Sequence, residues 1–158
     1  MMLNKMPDNT SMDSVLDHLE AAPKWGARNR AMFAIRQRLR IRDISGLLIS
    51  DVLGLDGKIR SCYMSADGLV FRLDDQLRTE LEKYLLKRFN VPSDSLRQLF
   101  QADLMRPLFP TQKRDRFSNN TLAQHFSYLD KSIKSRFELK KINKRSSWLK
   151  SIRHSLSD

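Results

Sequence analysis

Apolar positions recur at helical spacing along most of the chain and switch to alternation in one place. After Ser11, Val15, Leu16 and Leu19 fall on one side, Asp13 and Asp17 lie toward the end where the helix dipole favours acids, and Pro23 and Gly26 close the segment. Residues 28–39 predict a second helix with Ala31, Met32, Ile35 and Leu39 facing a core, and residues 42–48 a short third one. The period then changes. Gly54 and Gly57 mark a turn, residues 58–64 alternate in strand fashion, Asp67-Gly68 is a turn signal, and residues 69–73 read as the returning strand of a hairpin. Residues 74–89 give the clearest helix, with Leu77, Leu81, Tyr84 and Leu85 on one stripe and Arg78, Glu82 and Lys83 off it. A long connection to Pro110 has room for one short helix at residues 94–100. Ser118 can then cap a helix that places Leu122, Phe126, Leu129, Ile133 and Phe137 on one face and Lys131, Lys134 and Arg136 on the other. A lysine-rich loop over residues 140–145 and a final helical piece from Ser147 complete the expected order.

This pattern predicts an α+β fold, mostly helical, with a small antiparallel hairpin sheet. At 158 residues and 41% hydrophobic content the chain suffices for one domain, with residues 1–10 a flexible N-terminus and residues 11–158 the folded unit. No run of ~18 apolar residues occurs, so the expectation is a cytoplasmic protein with no membrane partner. Cys62 stands alone and predicts neither a disulfide nor a zinc site, and His125 and His154 lack ligands at useful spacing, so no metal and no cofactor is expected.

Charge adds a direction to this picture. The net charge is +11, and residues 111–153 hold twelve Lys/Arg against three acids, Asp115, Asp130 and Glu138. Such a one-sided basic field suits a polyanion partner, DNA before RNA before an acidic membrane surface, with solubility alone as the bland alternative. Upstream, Arg36, Arg38, Arg40 and Arg42 alternate with neutral residues and give way to Ile44, Leu47, Leu48 and Ile49. The run is either the solvated side of a packed helix or a set of guanidiniums that an anion such as phosphate meets, because a buried unpaired charge is costly. In the second reading Arg40 sits at the N-terminal edge of the third helix, where free backbone N–H groups add to the anion site.

The letters around Arg40 carry a resemblance. Leu39-Arg40-Ile41-Arg42-Asp43-Ile44, followed by Leu47, Leu48 and Asp51-Val52, resembles the first catalytic box of the tyrosine recombinase (phage integrase) family, although Gln37-Arg38 stands where the family usually has Thr-Gly. Arg28-Asn29-Arg30-Ala31-Met32-Phe33 is similar to the family's lead-in, Pro107-Leu108-Phe109-Pro110 to its Leu-Phe-Pro-Ser segment, and Lys150-Ser151-Ile152-Arg153-His154-Ser155 to its second box, with lysine in the first place. The likeness runs from Lys24 to Ser157. It implies that Arg40 and Arg153 are the paired catalytic arginines, that Lys150 takes the proton-transfer position and that Asp43 is the acidic neighbour. It further implies double-stranded DNA as partner. Arg38 and Arg42 in the arginine run, and Lys113, Arg114, Arg116, Lys140, Lys141, Lys144 and Arg145 in the basic third, are the expected DNA contacts.

Two departures shape the functional expectation. The family carries a lysine in or beside the hairpin, and Ser65-Ala66-Asp67-Gly68 has none; the family's nucleophilic tyrosine follows the second box, whereas Tyr63, Tyr84 and Tyr128 all precede it. The resemblance thus implies a catalytic domain truncated after the second box, with its C-terminal helices missing, that binds DNA in integration and recombination within a phage or mobile element and does not cleave DNA alone. The alternative is a protein that docks on a full-length recombinase and modulates its assembly, since family members exchange a C-terminal segment.

Overall fold

Where the sequence supplies a cap, a helix begins. In a computed structural model that describes residues 11–92, 96–99 and 101–156, with side chains followed through Glu138, the Ser11 hydroxyl accepts the Ser14 N–H at 3.1 Å and opens α1, Met12–Glu20. Val15, Leu16 and Leu19 are buried, as their spacing predicts. The next helix, α2, spans Gly26–Arg36 and starts directly against the end of α1. A Cβ on Gly26 would lie 2.1 Å from the Glu20 carbonyl oxygen, so Gly26 opens α2 by permitting the close approach rather than ending α1.

The stretch predicted as one third helix is two short ones, α3 at Ile41–Ser45 and α4 at Ile49–Val52. Gly46 separates them. The Leu47–Leu48 link pairs with the long connection instead: Ile49 N–H donates to Arg106 O at 3.0 Å and Leu108 N–H to Leu47 O at 3.0 Å. These tertiary bonds satisfy backbone groups that a continuous helix would have used internally.

The hairpin is shorter than the alternation suggests. It comprises β1, Cys62–Met64, and β2, Val70–Arg72, antiparallel with Cys62 opposite Arg72, Tyr63 opposite Phe71 and Met64 opposite Val70. Ile59 joins only an isolated bridge to Leu53. At the turn, Gly68 takes φ +86 and its N–H reaches Ser65 O at 3.0 Å, which fixes Asp67 at the tip. Asp74 caps α5, Asp75–Phe89, by accepting the Leu77 N–H at 2.9 Å. A 3-10 turn at Leu96–Gln98 and α6, Gln101–Leu104, replace the single short helix expected at 94–100; Asp94 and Phe100 themselves lie outside the described residues, as do residues 1–10 and Ser157.

The last helix, α7, runs without interruption from Asn119 to Leu156, 38 residues or about 57 Å at the α-helical rise. Residues 140–145 are therefore helical and not a loop. Charge density suggested the loop, but no glycine or proline follows Pro110, and lysine, arginine and leucine are all good helix formers. The first half of α7 closes the core. Leu122, Phe126 and Leu129 belong to one core cluster with Met32, Phe33 and Ile35 of α2, Leu81 and Leu85 of α5, and Val15 and Leu16 of α1. No described helix is long and apolar enough to cross a membrane.

Candidate functional site

Arg40 immediately precedes α3, in an extended backbone conformation (φ -79, ψ 158) that turns its side chain toward the hairpin. Its guanidinium is shared by two carboxylates. Nε and Nη2 donate to Asp43 at 2.7 and 3.0 Å, while Nη1 and Nη2 donate to Asp67 at 3.2 and 3.0 Å. Asp43 is buried on α3, one helical turn on, and its Oδ2 also accepts the Arg40 backbone N–H at 3.3 Å. Of the backbone N–H groups expected to be free at this helix edge, that of Arg40 is thus taken by Asp43. The Arg40 guanidinium also lies over the Phe71 ring, 5.3 Å from its centroid.

Asp67 gathers the remaining donors. Arg42 Nη2 and the Ser65 hydroxyl both bond it, and Ser65 is itself locked by the Leu69 N–H at 3.0 Å. Hydrogen bonds from Arg40 first and Ser65 second hold the Asp67 carboxyl well below the usual carboxylate range. Reciprocally, the bonds to Asp43 and then Asp67 raise the Arg40 pKa further, so the guanidinium is charged at every accessible pH.

The other arginines of the run are met in the same way. Arg36 Nη1 reaches Asp130 on α7 at 3.3 Å and stacks on Phe126 at 4.4 Å, and Arg38 Nε donates to Asp74 at 2.9 Å. Carboxylates of the chain itself therefore accompany the whole run, and no outside anion is required for it to lie beside the core. Asp67, Asp74 and Asp130 went unnoticed in the sequence because each is distant in the chain from its partner, Asp67 by 27 residues from Arg40. Their local signals were those of a turn former, a helix cap and a surface acid.

The downstream cations differ. Lys113, Arg114 and Arg116 are exposed on a tight loop in which Thr111 N–H reaches Asp115 O at 2.9 Å and Arg114, at φ 67, donates its N–H to Thr111 O at 2.9 Å. None of the three forms an ion pair with a described carboxylate. The Ser45 hydroxyl bonds Asn119, which joins α3 to the start of α7 close behind this loop in the chain. Lys140, Lys141, Lys144, Arg145, Lys150 and Arg153 lie along the α7 backbone, and their side chains fall outside the described part of the structure.

The three tyrosines have distinct surroundings. The Tyr84 hydroxyl is buried and donates to Leu108 O at 2.7 Å, and the half-buried Tyr63 stacks on Phe71 with centroids 6.5 Å apart. Tyr128 is 65% exposed and stacks its ring on His125. Arg28 is buried and pairs with no described carboxylate: it donates to Asn29 Oδ1 and to Pro110 O at 2.9 Å, and it stacks on Trp25 at 4.3 Å. Burial pulls the Arg28 pKa down to about 10. His125 Nε2 bonds Asn29 Oδ1 at 3.0 Å, and burial first and the Arg28 charge second pull its pKa down to about 4.

No family model matches the sequence, and no curated protein matches it. In structure the chain is similar to a solved XerA recombinase, with a TM-score of 0.50 and 22% identity over 83% of this chain and 45% of that one. The fold is recombinase-like. The chain spans less than half the length of that recombinase, and at this identity the likeness is one of fold. Within the recombinase-like fold the segment that resembles a first catalytic box, Leu39 to Val52, forms the link after α2, then α3 and α4. The segment resembling Leu-Phe-Pro-Ser lies directly against it through the Leu47–Leu108 backbone bond.

Proposed function

We propose that the chain is a DNA-binding protein of the tyrosine recombinase type, linked to integration and recombination, in which Arg40 holds a backbone phosphate. The observation that carries this reading is the setting of Arg40 in a recombinase-like fold: the buried Asp43 fixes one edge of its guanidinium, and about a third of the side chain remains open to solvent. A guanidinium so oriented presents a planar fork suited to two non-bridging phosphate oxygens. Lys113, Arg114 and Arg116 add exposed positive charge on the loop before α7, which supplies sequence-independent attraction. In this reading Arg153 and Lys150, on the distal part of α7, are the second arginine and the proton-transfer lysine, and Arg38, Arg42, Lys140, Lys141, Lys144 and Arg145 contribute backbone contacts.

These groups hold and polarise a phosphodiester, and we propose that none of the three tyrosines attacks it. Tyr84 has its hydroxyl committed inside the core, and burial raises the Tyr63 pKa, which disfavours the phenolate a nucleophile needs. Titration of a short DNA duplex across salt concentrations tests the binding. Log K should fall linearly with log salt, and replacing Lys113, Arg114 and Arg116 by alanine together should flatten the slope by about 0.9 per lost phosphate contact. Salt-insensitive binding would refute the reading. On a nicked duplex that traps covalent intermediates no denaturant-resistant adduct should form, and an adduct at Tyr128 would show that the exposed tyrosine is a nucleophile.

A further inference from the structure

The outer edge of the Arg40 guanidinium, where the proposed function puts phosphate, is already occupied. Asp43 takes the inner edge through Nε and Nη2, and Asp67 takes the outer edge through Nη1 and Nη2, leaving a single N–H of the five without one of these partners. A phosphate cannot make a two-pronged contact there while Asp67 is docked. The two carboxylates are not equivalent. Asp43 is buried on the helix that Arg40 precedes, so it moves only with that helix. Asp67 is 43% exposed at the tip of a hairpin held by three residue pairs, and its other cationic partner, Arg42, is 56% exposed.

From this geometry we infer that Asp67 is a built-in competitor for phosphate: the hairpin turn masks the outer fork of Arg40 and Arg42, and DNA binds by displacing it. The inference rests on the proposed phosphate role of Arg40 and adds its regulation. A carboxylate and a phosphate offer the same pair of acceptor oxygens to a guanidinium, so one substitutes for the other in kind. Exposed ion pairs are weak, and a polyanion that also releases counterions outcompetes one carboxylate; the mask therefore lowers affinity without abolishing it. It also discriminates against isolated small anions, which bring no second contact. The turn carries the device because Gly68 and Ser65 hold Asp67 in place from behind, through the Gly68 N–H to Ser65 O bond and the Ser65 hydroxyl to the Asp67 carboxylate.

The test compares two variants of equal charge by fluorescence anisotropy on a short labelled DNA duplex. Asp67→Asn removes the mask, whereas Asp75→Asn removes an exposed carboxylate paired with Arg78, a cation outside the proposed DNA contacts. Asp67→Asn should tighten binding about fivefold beyond Asp75→Asn, the scale of one exposed ion pair. Asp67→Ser, a second turn-compatible uncharged residue, should repeat the gain, and replacing Arg40 and Arg42 together by alanine should erase it. Equal effects of Asp67→Asn and Asp75→Asn, or a gain that survives the double replacement of Arg40 and Arg42, would overturn the mask. If Arg40→Ala weakens the wild-type protein while Asp67→Asn behaves as Asp75→Asn, only the mask falls. If neither Arg40→Ala nor Asp67→Asn changes affinity, the phosphate role of Arg40 falls and takes the mask with it.

Discussion

His125 shows how one residue reports on its surroundings. Its ring faces Arg28, Asn29, Phe117 and Tyr128, and its pKa is pulled from 6.5 to about 4, so the folded state favours the neutral ring. The unfolded chain binds this proton more readily, so the contribution to stability is full above 6.5 and is lost as pH falls toward about 4. Urea denaturation at several pH values should show wild-type stability dropping through this window and a smaller drop in His125→Gln; parallel curves would contradict the assignment. Tyr84→Phe should cost about 1 kcal/mol, since the variant loses the buried hydrogen bond to Leu108 O and a long one accepted from Arg88 at 3.4 Å, while Leu108 O keeps its bond from Arg88 at 2.9 Å. A loss several times larger would mean that the hydroxyl also holds the Arg88 guanidinium in place. Residue identities near Arg40 were legible in the sequence, and Asp43 was recognised as its neighbour. Its second partner was not, because nothing local to the Asp67 turn points to a guanidinium 27 residues earlier.

Elements were legible where a cap and a periodic face coincide. Ser11, Asp74 and Ser118 each accept a backbone N–H at the start of α1, α5 and α7, and the apolar stripes behind them are buried. Misreadings arose where the deciding interaction lies elsewhere in the chain. Gly26 reads as a helix breaker until the Glu20 carbonyl is placed against it, and the α3–α4 break depends on backbone bonds to Arg106 and Leu108. Gly26→Ala should therefore destabilise the protein by about 1–3 kcal/mol through overpacking, although alanine is the better helix former. A variant with an unchanged or raised melting temperature would show that α1 and α2 can separate at little cost. For α7, the dense charge of residues 140–145 suggested a loop where the backbone is helical. Asn143→Pro should lower the helical signal in far-ultraviolet circular dichroism, which a loop at this position would leave untouched.

At the scale of the molecule, an arginine-rich strip between α2 and α3, a hairpin that reaches over it and a basic loop leading into α7 share a recombinase-like fold. Internal carboxylates neutralise the strip, and the cations at 113–116 are left exposed, so the proposed function assigns long-range attraction and local phosphate holding to different parts of the surface. The central claim is that Arg40 holds a phosphate, and its most direct measurement is the salt dependence of DNA affinity for wild type, Arg40→Lys and Arg40→Ala. Arg40→Ala should weaken binding to every duplex sequence alike and reduce the slope of log K against log salt by about one, while Arg40→Lys should keep the slope and lose affinity because it lacks the fork. An Arg40→Ala protein with wild-type affinity and an unchanged slope would contradict the account.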